Sequence, residues 1–431
     1  MTSRLRSCGD RRVSRSTGPI RLRAGWFLVS LLATIGMMVL FAPAGVASAH
    51  GEESQQSFER TSTIMFYDVN FSTNELDVNQ ELTITGNLRV MNAWPDHTIS
   101  PPNLAYLTIN TPGAVFTVED RELNGVFTPQ SVRIQRGATY PFKLVLKARI
   151  PGRWHVHPAM AAKGTGTLVG QGQWVTIRNA GGPFTETETL ATGKTINLLT
   201  YGMSRVVMWQ LICLAVALAY VVFWLWRPLL QRAVVLRYGD PSTVLPKRDI
   251  KVTAILGVVA LAVGMGGYFY AKMHDGPEVP VQVIRVQPPP LEPSALQKGL
   301  ETSVKSAVFD DKTKTLTLTV TVKNNTKAPT SFDHAQFADY SLYNTDAVAN
   351  PPEGPYVGRA RVTPSGPIQP GETRTLAVTI NSKDLSSRNL LPLNEAEVRV
   401  TGAMVFRSGG EQAVAEINEL STGILPQYGG E

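Results

Sequence analysis

At 431 residues the chain is long enough for two or three domains with cores of their own. Its formal charge of +7 suggests a polyanionic partner until the charge is located. Residues 1–49 carry seven arginines against one acid, and without them 34 basic residues face 33 acidic ones, so a nucleic-acid reading loses its support. Only Cys8 and Cys213 exist, which leaves packing, metal or partner subunits, not disulfides, to hold an exported fold together.

In chain order, residues 1–49 read as a secretory signal. Arginines come first, then the apolar run Ala24–Ala42, then Ala47-x-Ala49 as a small-residue cleavage site. Cutting there makes His50 the first residue. An uncleaved anchor is the alternative, since the apolar run is long for a signal, and both readings put the following residues outside the cytoplasm. Residues 50–180 read as a β-domain. Leu82, Ile84, Leu88 and Val90 alternate, as do Phe142, Leu144, Leu146 and Ala148, with turn signals at Pro101-Pro102, Pro112-Gly113, Arg136-Gly137 and Pro151-Gly152. Short strands at this spacing predict an antiparallel sandwich. Gly164–Gly172 is glycine-rich without a phosphate-binding lysine and reads as a crossing between strands.

A polar linker at 181–205 leads to two apolar segments, 206–226 and 252–271, each long enough at 1.5 Å per residue to cross a ~30 Å hydrocarbon core. The loop 227–251 holds Arg227, Arg232, Arg237, Lys247, Arg248 and Lys251 against Asp240 and Asp249. Its positive excess predicts a cytoplasmic loop with both flanking domains outside. Residues 272–299 are proline-rich and read as an extended tether. Over 300–431, Leu316, Leu318, Val320 and Val322 alternate with threonines, and Pro370-Gly371 and Gly409-Gly410 mark turns, so a second sandwich is expected. Its only histidine is His334, no ligand set can be assembled there, and a structural or docking role is expected. His97, His274 and His334 each stand alone and are read as structural or solvated.

The stretch that carries chemistry is Pro151-Gly152-Arg153-Trp154-His155-Val156-His157. On a strand His155 and His157 share one face, one pleat apart, while Trp154 and Val156 take the other. Taken alone, such a pair is more often a solvated feature of a β-protein. A histidine at the new N-terminus shifts the balance towards metal: His50 offers an α-amine and a ring nitrogen that close on one ion, giving four nitrogens with His155 and His157. All-nitrogen ligation favours Cu(II), and zinc is the alternative. A blue-copper centre needs a thiolate, and residues 51–177 contain no cysteine.

Beyond these signals, His50-Gly51-Glu52, Trp94-Pro95, Pro112-Gly113-x-Val115-Phe116, Leu146-Lys147-Ala148-Arg149 and the Pro151–His157 stretch occur in one order. In this the chain resembles the B-type subunit of the copper membrane monooxygenases, the family of particulate methane, ammonia and short-chain hydrocarbon monooxygenases. The resemblance implies all-β soluble domains plus α-helical membrane spans, namely two cupredoxin-like antiparallel β-sandwiches joined by two transmembrane helices, the second without metal ligands. It implies copper at His50, His155 and His157, with Glu52 placed to orient a ligand. Met65 stands where some members carry a further histidine. Two integral-membrane partner subunits in a trimer of heterotrimers, O₂ and a small substrate, and quinol as reductant are implied as well. No catalytic residue is assigned, because the oxidation can belong to a partner subunit. An exported copper-handling protein without oxygenase activity is the competing reading.

Overall fold

Alternation of small β-branched and large apolar residues builds most of this molecule. The computed structural model describes residues 56–102, 104–189, 193–225, 237, 247–274, 287–310, 312–391 and 398–422. These all belong to one unit spanning 50–431. The predicted signal, His50, Glu52 and most of the loop 227–251 lie outside the described residues.

A short helix α1 (Ser57–Ser62) precedes the first domain. One sheet orders β1 (Ile64–Phe71), β3 (Glu81–Val90), β7 (Thr139–Ala148), β5 (Phe116–Leu123) and β6 (Val126–Phe127). The facing sheet orders β2 (Glu75–Asp77), β10 (Gln173–Arg178), β8 (Gly152–Ala162) and β4 (Ala105–Asn110), with β9 (Thr167–Val169) beside β8. Pairing is antiparallel except between β2 and β10. The alternating residues of β3 and β7 meet in register, Leu82 opposite Leu146 and Ile84 opposite Leu144, and their inner faces are fully buried. Each such side chain stabilises the sandwich by about 1.5–3 kcal/mol. Strand β8, with the two histidines, lies between β10 and β4, so its backbone is held from both sides.

The segment expected as a linker carries a small hairpin of β11 (Thr187–Thr189) and β12 (Thr195–Asn197). Helices α2 (Met203–Leu225) and α3 (Lys247–His274) follow, with Trp209 of α2 lying where a Cβ on Gly267 would stand 2.9 Å from its ring. A helix apolar all round has to be buried in protein or lipid. Leu211, Leu214, Leu218, Ile255, Val258 and Leu261 all point outward, and both helices exceed the span of a bilayer core. They are candidate membrane spans.

The proline-rich segment is no free tether over its described part. Leu291 N–H donates to the Thr139 carbonyl at 2.7 Å and Asn124 Nδ2 donates to the Pro289 carbonyl at 3.1 Å. An extended chain makes no internal hydrogen bonds, so its polar groups are open to a neighbour, here the first sandwich. Helix α4 (Ala295–Gly299) then opens the second domain. Its strands are β13 (Leu300–Asp310), β14 (Thr315–Asn324), β15 (Ser331–Phe337), β16 (Tyr340–Asn344), β17 (Val357–Thr363), β18 (Thr373–Asn381), β19 (Arg399–Ser408) and β20 (Glu411–Thr422), with α5 (Ser382–Ser386) after β18. The all-β reading of this half holds, and its strands close into a barrel in the order β13-β14-β18-β17-β16-β15-β19-β20. Closure uses a parallel pair, β13 with β20, and β16 pairs β17 in parallel too. Closing the ring removes the edges that an open sandwich would expose.

The two β-domains meet along a seam. Met65, Tyr67 and Met91 of the first pack with Ala403, Val405 and Val414 of the second in a buried apolar cluster. Around it, Arg89 pairs with Glu416 at 3.0 Å, Arg60 with Asp339 at 3.0 Å, and Arg407 with both Asp68 and Asp333.

Candidate metal centre

The turn at Pro151-Gly152 starts β8. Gly152 has φ +141°, and a Cβ there would stand 2.9 Å from the Trp154 ring, so only glycine fits beneath that indole. From there the pleat turns Val156 into the core and both imidazoles to the opposite face. That face is not open to water: His155 is 6% and His157 3% exposed.

The two rings converge edge to face, with His157 Nε2 2.9 Å from His155 Nδ1. His157 Nδ1 lies 2.7 Å from the Gly170 carbonyl. A carbonyl only accepts, so Nδ1 carries the proton and Nε2 turns its lone pair towards His155. This is how metal-binding histidines are commonly oriented, one nitrogen fixed by an outer hydrogen bond and the other left as ligand. Two nitrogens ~2.0–2.1 Å from one ion stand ~2.9 Å apart at a right angle and ~3.4 Å apart at a tetrahedral one. The observed 2.9 Å is also the length of an imidazole N–H···N hydrogen bond, and it leaves the two nitrogens close enough to converge on one ion.

The Gly164–Gly172 loop does more than cross between strands. Gly170 supplies the carbonyl, and a Cβ on Gly172 would lie 2.5 Å from Cε1 of His157, so the imidazole occupies the space a side chain would take. The spacing Gly170-x-Gly172 ahead of β10 was the sequence signal for this cradle. Across the ladder Trp174 is the direct partner of His155, its ring 4.9 Å away, and Asn110 is the partner of His157.

The cover comes from the second domain. Tyr356 stacks on His155 at 5.3 Å and 19° and meets His157 edge-on at 5.3 Å. The Arg388 guanidinium lies 4.5 Å from the Tyr356 ring and 4.9 Å from that of Tyr340. The Arg388 carbonyl accepts from Arg60 of α1 at 2.6 Å, and Arg60 also pairs with the buried Asp339. Burial pushes the Asp339 carboxyl up, against the opposing charges of Arg60, His157 and Arg388. No periodicity marks Tyr356 or Arg388 in the sequence.

Of the three predicted ligands the described residues include two, His155 and His157, and these come together. His50 and Glu52 lie outside them. Met65 is fully buried in the apolar seam, opposite Arg89 on β3. His97 is exposed, and His274 Nδ1 lies 3.1 Å from the Tyr270 carbonyl one turn back. The reading of His334 as isolated is corrected. Its Nδ1 lies 2.7 Å from Asp333 Oδ2, and with Asp68 the three offer ligand-type atoms within 4.8 Å of one another. Asp68 sits on the other domain, which is why the sequence did not show the group. Its resident cation is Arg407, 2.5 Å from Asp68 and 3.0 Å from Asp333, and Gln412 donates to Asp68 at 2.7 Å. Burial raises the Asp333 carboxyl, but the His334 hydrogen bond and the His334 and Arg407 charges outweigh it and hold it low. The cluster is an ion-pair clamp between domains.

Known proteins share this plan. The family model described as the monooxygenase B-subunit protein matches residues 51–428. The particulate methane monooxygenase alpha subunit of Methylococcus capsulatus is 30% identical over 420 residues, 94% of this chain and 98% of its own length. Among solved structures, the cupredoxin domain of amoB from Nitrosocaldus yellowstonii matches at 18% identity and TM-score 0.24, over 30% of this chain and 94% of that one. The Yersinia pseudotuberculosis adhesin InvE matches at 8% identity and TM-score 0.17, over 82% of this chain and 60% of that one. Structural likenesses this slight carry no weight for function.

Proposed function

The chain belongs to the monooxygenase B-subunit family and so forms part of an oxidoreductase complex, and from that premise we propose that it is the copper-binding subunit of a membrane-bound monooxygenase acting on methane, ammonia or a short-chain hydrocarbon. The observation that carries the copper reading is the buried pair of imidazole nitrogens 2.9 Å apart, one of them oriented by the Gly170 carbonyl. His50, through its ring and a freed α-amine, completes the nitrogen set, and Glu52 orients one of these ligands. Six peptide links join His50 to Gln56, a reach of ~20 Å. Helix α1, just beyond, is pinned by Arg60 to the same Arg388 that lies on Tyr356, which supports His50 being within reach of the histidine pair.

Bound copper would supply one-electron redox chemistry towards O₂. The protein's own part is positional. The Gly170 carbonyl holds the His157 proton on Nδ1, Gly172 leaves room for the ring, and Tyr356 and Trp174 keep water from the imidazole faces. A dry site strengthens each electrostatic contact within it. Two integral-membrane partner subunits in a trimer of heterotrimers, and quinol as electron donor, complete the proposed assembly. The positive loop 227–251 favours a multi-pass membrane topology with both β-domains on the extracytoplasmic side.

The test is to purify the complex from membranes, sequence this chain's N-terminus, and measure bound copper and O₂-dependent substrate oxidation. A chain starting at His50, with copper lost in His155→Ala and His157→Ala, is the expected result. Unchanged copper in both variants refutes the site. Copper transfer to an acceptor without turnover would assign the chain to copper handling instead.

A further inference from the structure

The second β-domain contributes no ligand, yet its residues lie directly on the imidazoles. We infer that Arg388 is a positioning residue for the metal centre, acting through Tyr356, so that the site is complete only when the second domain is docked. This rests on the copper reading given above and extends it to residues of the other domain.

Three contacts give Arg388 that role. Its guanidinium lies 4.5 Å from the centroid of Tyr356 and 4.9 Å from that of Tyr340, so one cation bridges two aromatic rings. Its Nη2 donates to the carbonyl of Pro355, the residue before Tyr356, which fixes the backbone that carries the ring. Its own carbonyl accepts from Arg60 Nη1 at 2.6 Å, tying the same turn to α1 of the first domain. Tyr356 then faces His155 in a near-parallel stack and His157 edge-on, and so bears on both rings at once.

The physical effect follows from geometry. His157 is held on one side by Gly170 and Gly172, and His155 is flanked by Trp174. On the remaining side the ring of Tyr356 is the described group that limits rotation of both imidazoles about χ2, a torsion with a broad well unless neighbours restrict it. Without Arg388, Tyr356 keeps its place in sequence but loses both the cation on its face and the anchor at Pro355. The imidazole pair then samples separations other than 2.9 Å. Supporting groups of this kind set metal affinity by about ten- to a hundredfold.

The measurement is copper loss from the purified, membrane-extracted complex to a chelator, read together with the Cu(II) electron paramagnetic resonance spectrum and the melting temperature. Arg388→Ala and Tyr356→Leu are expected to release copper about tenfold faster than wild type with altered hyperfine splitting, while Tyr356→Phe, which keeps the stacked ring, stays within about twofold of wild type. Arg388→Lys keeps the charge but not the planar fork and falls between them. Wild-type release rates and spectra in Arg388→Ala and Tyr356→Leu, with the melting temperature unchanged, overturn the inference. If either variant fails to assemble, Arg388→Lys in the assembled complex decides it, and copper release and a spectrum identical to wild type there count against a positioning role. His155→Ala run in parallel separates the two claims: copper retained there removes the metal site itself, whereas copper lost there but unaffected by Arg388→Ala removes only the role of Arg388.

Discussion

Gly172→Ala puts the smallest possible side chain into the histidine cradle. The backbone of Gly172 needs no left-handed conformation, so the cost is space alone. The new Cβ would lie 2.5 Å from Cε1, 2.6 Å from Nδ1 and 2.7 Å from Nε2 of His157. Ordinary contact is ~3.5–4.0 Å, so the ring must withdraw by about 1 Å. That stretches the 2.7 Å bond to Gly170 past hydrogen-bonding range, frees the tautomer, and breaks the 2.9 Å register with His155. Copper affinity is expected to fall about ten- to a hundredfold, or ~1.4–2.7 kcal/mol. The overpacking lowers stability by about 1–3 kcal/mol. Gly164→Ala is the control. Its φ of +91° makes alanine strained by about 1–2 kcal/mol, but its nearest contacts are to Ser100, away from the histidines. Copper titration against a competing chelator, with thermal melts of both variants, separates the effects. Gly164→Ala melts lower and binds copper normally, and Gly172→Ala loses affinity. Equal copper affinity in Gly172→Ala and wild type would refute the cradle.

Two further outcomes concern the seam. Arg60 and Asp339 are 3% and 2% exposed, so Arg60→Met strands a buried carboxylate at a cost of about 3–5 kcal/mol, a drop of roughly 10 °C in melting temperature, and the Arg60→Met/Asp339→Leu pair recovers most of it. A melt unchanged by the single substitution would show that the pair contributes little. Burial raises the phenols of Tyr67 and Tyr343 to about 12. A raised acid is held protonated by the fold, so this stability is present below the unfolded value near 10 and is lost as pH rises through 12, about 2–3 kcal/mol for each ring. Melting temperature should fall between pH 10 and 12, and less steeply in Tyr67→Phe/Tyr343→Phe. An alkaline slope identical in the two proteins would exclude these rings as its source.

Strand content and the histidine pair were legible because both follow from period-two spacing, a local property. Leu82 through Val90 and Phe142 through Ala148 alternate in the sequence and pair in the sheet. The cover over His155 and His157 was not legible, because Tyr356 and Arg388 reach the pair from another domain. His334 and Asp68 eluded the sequence for the same reason. Closure of the second domain depends on β13 finding β20 at the far end of the same domain, which alternation does not encode. Gly172 lay between: its spacing was visible, but the ring that fills its missing side chain was not.

The ring that closes over the histidines is synthesised late. Every strand of the first sandwich is complete by Arg178, whereas Tyr356 follows His157 by roughly 200 residues, a delay of ~10–40 s at ~5–20 residues per second. Both apolar helices are made within that interval, so the chain crosses from one β-domain to the other before the covering ring exists. The imidazole pair therefore gains its cover only once the second domain has folded onto the first.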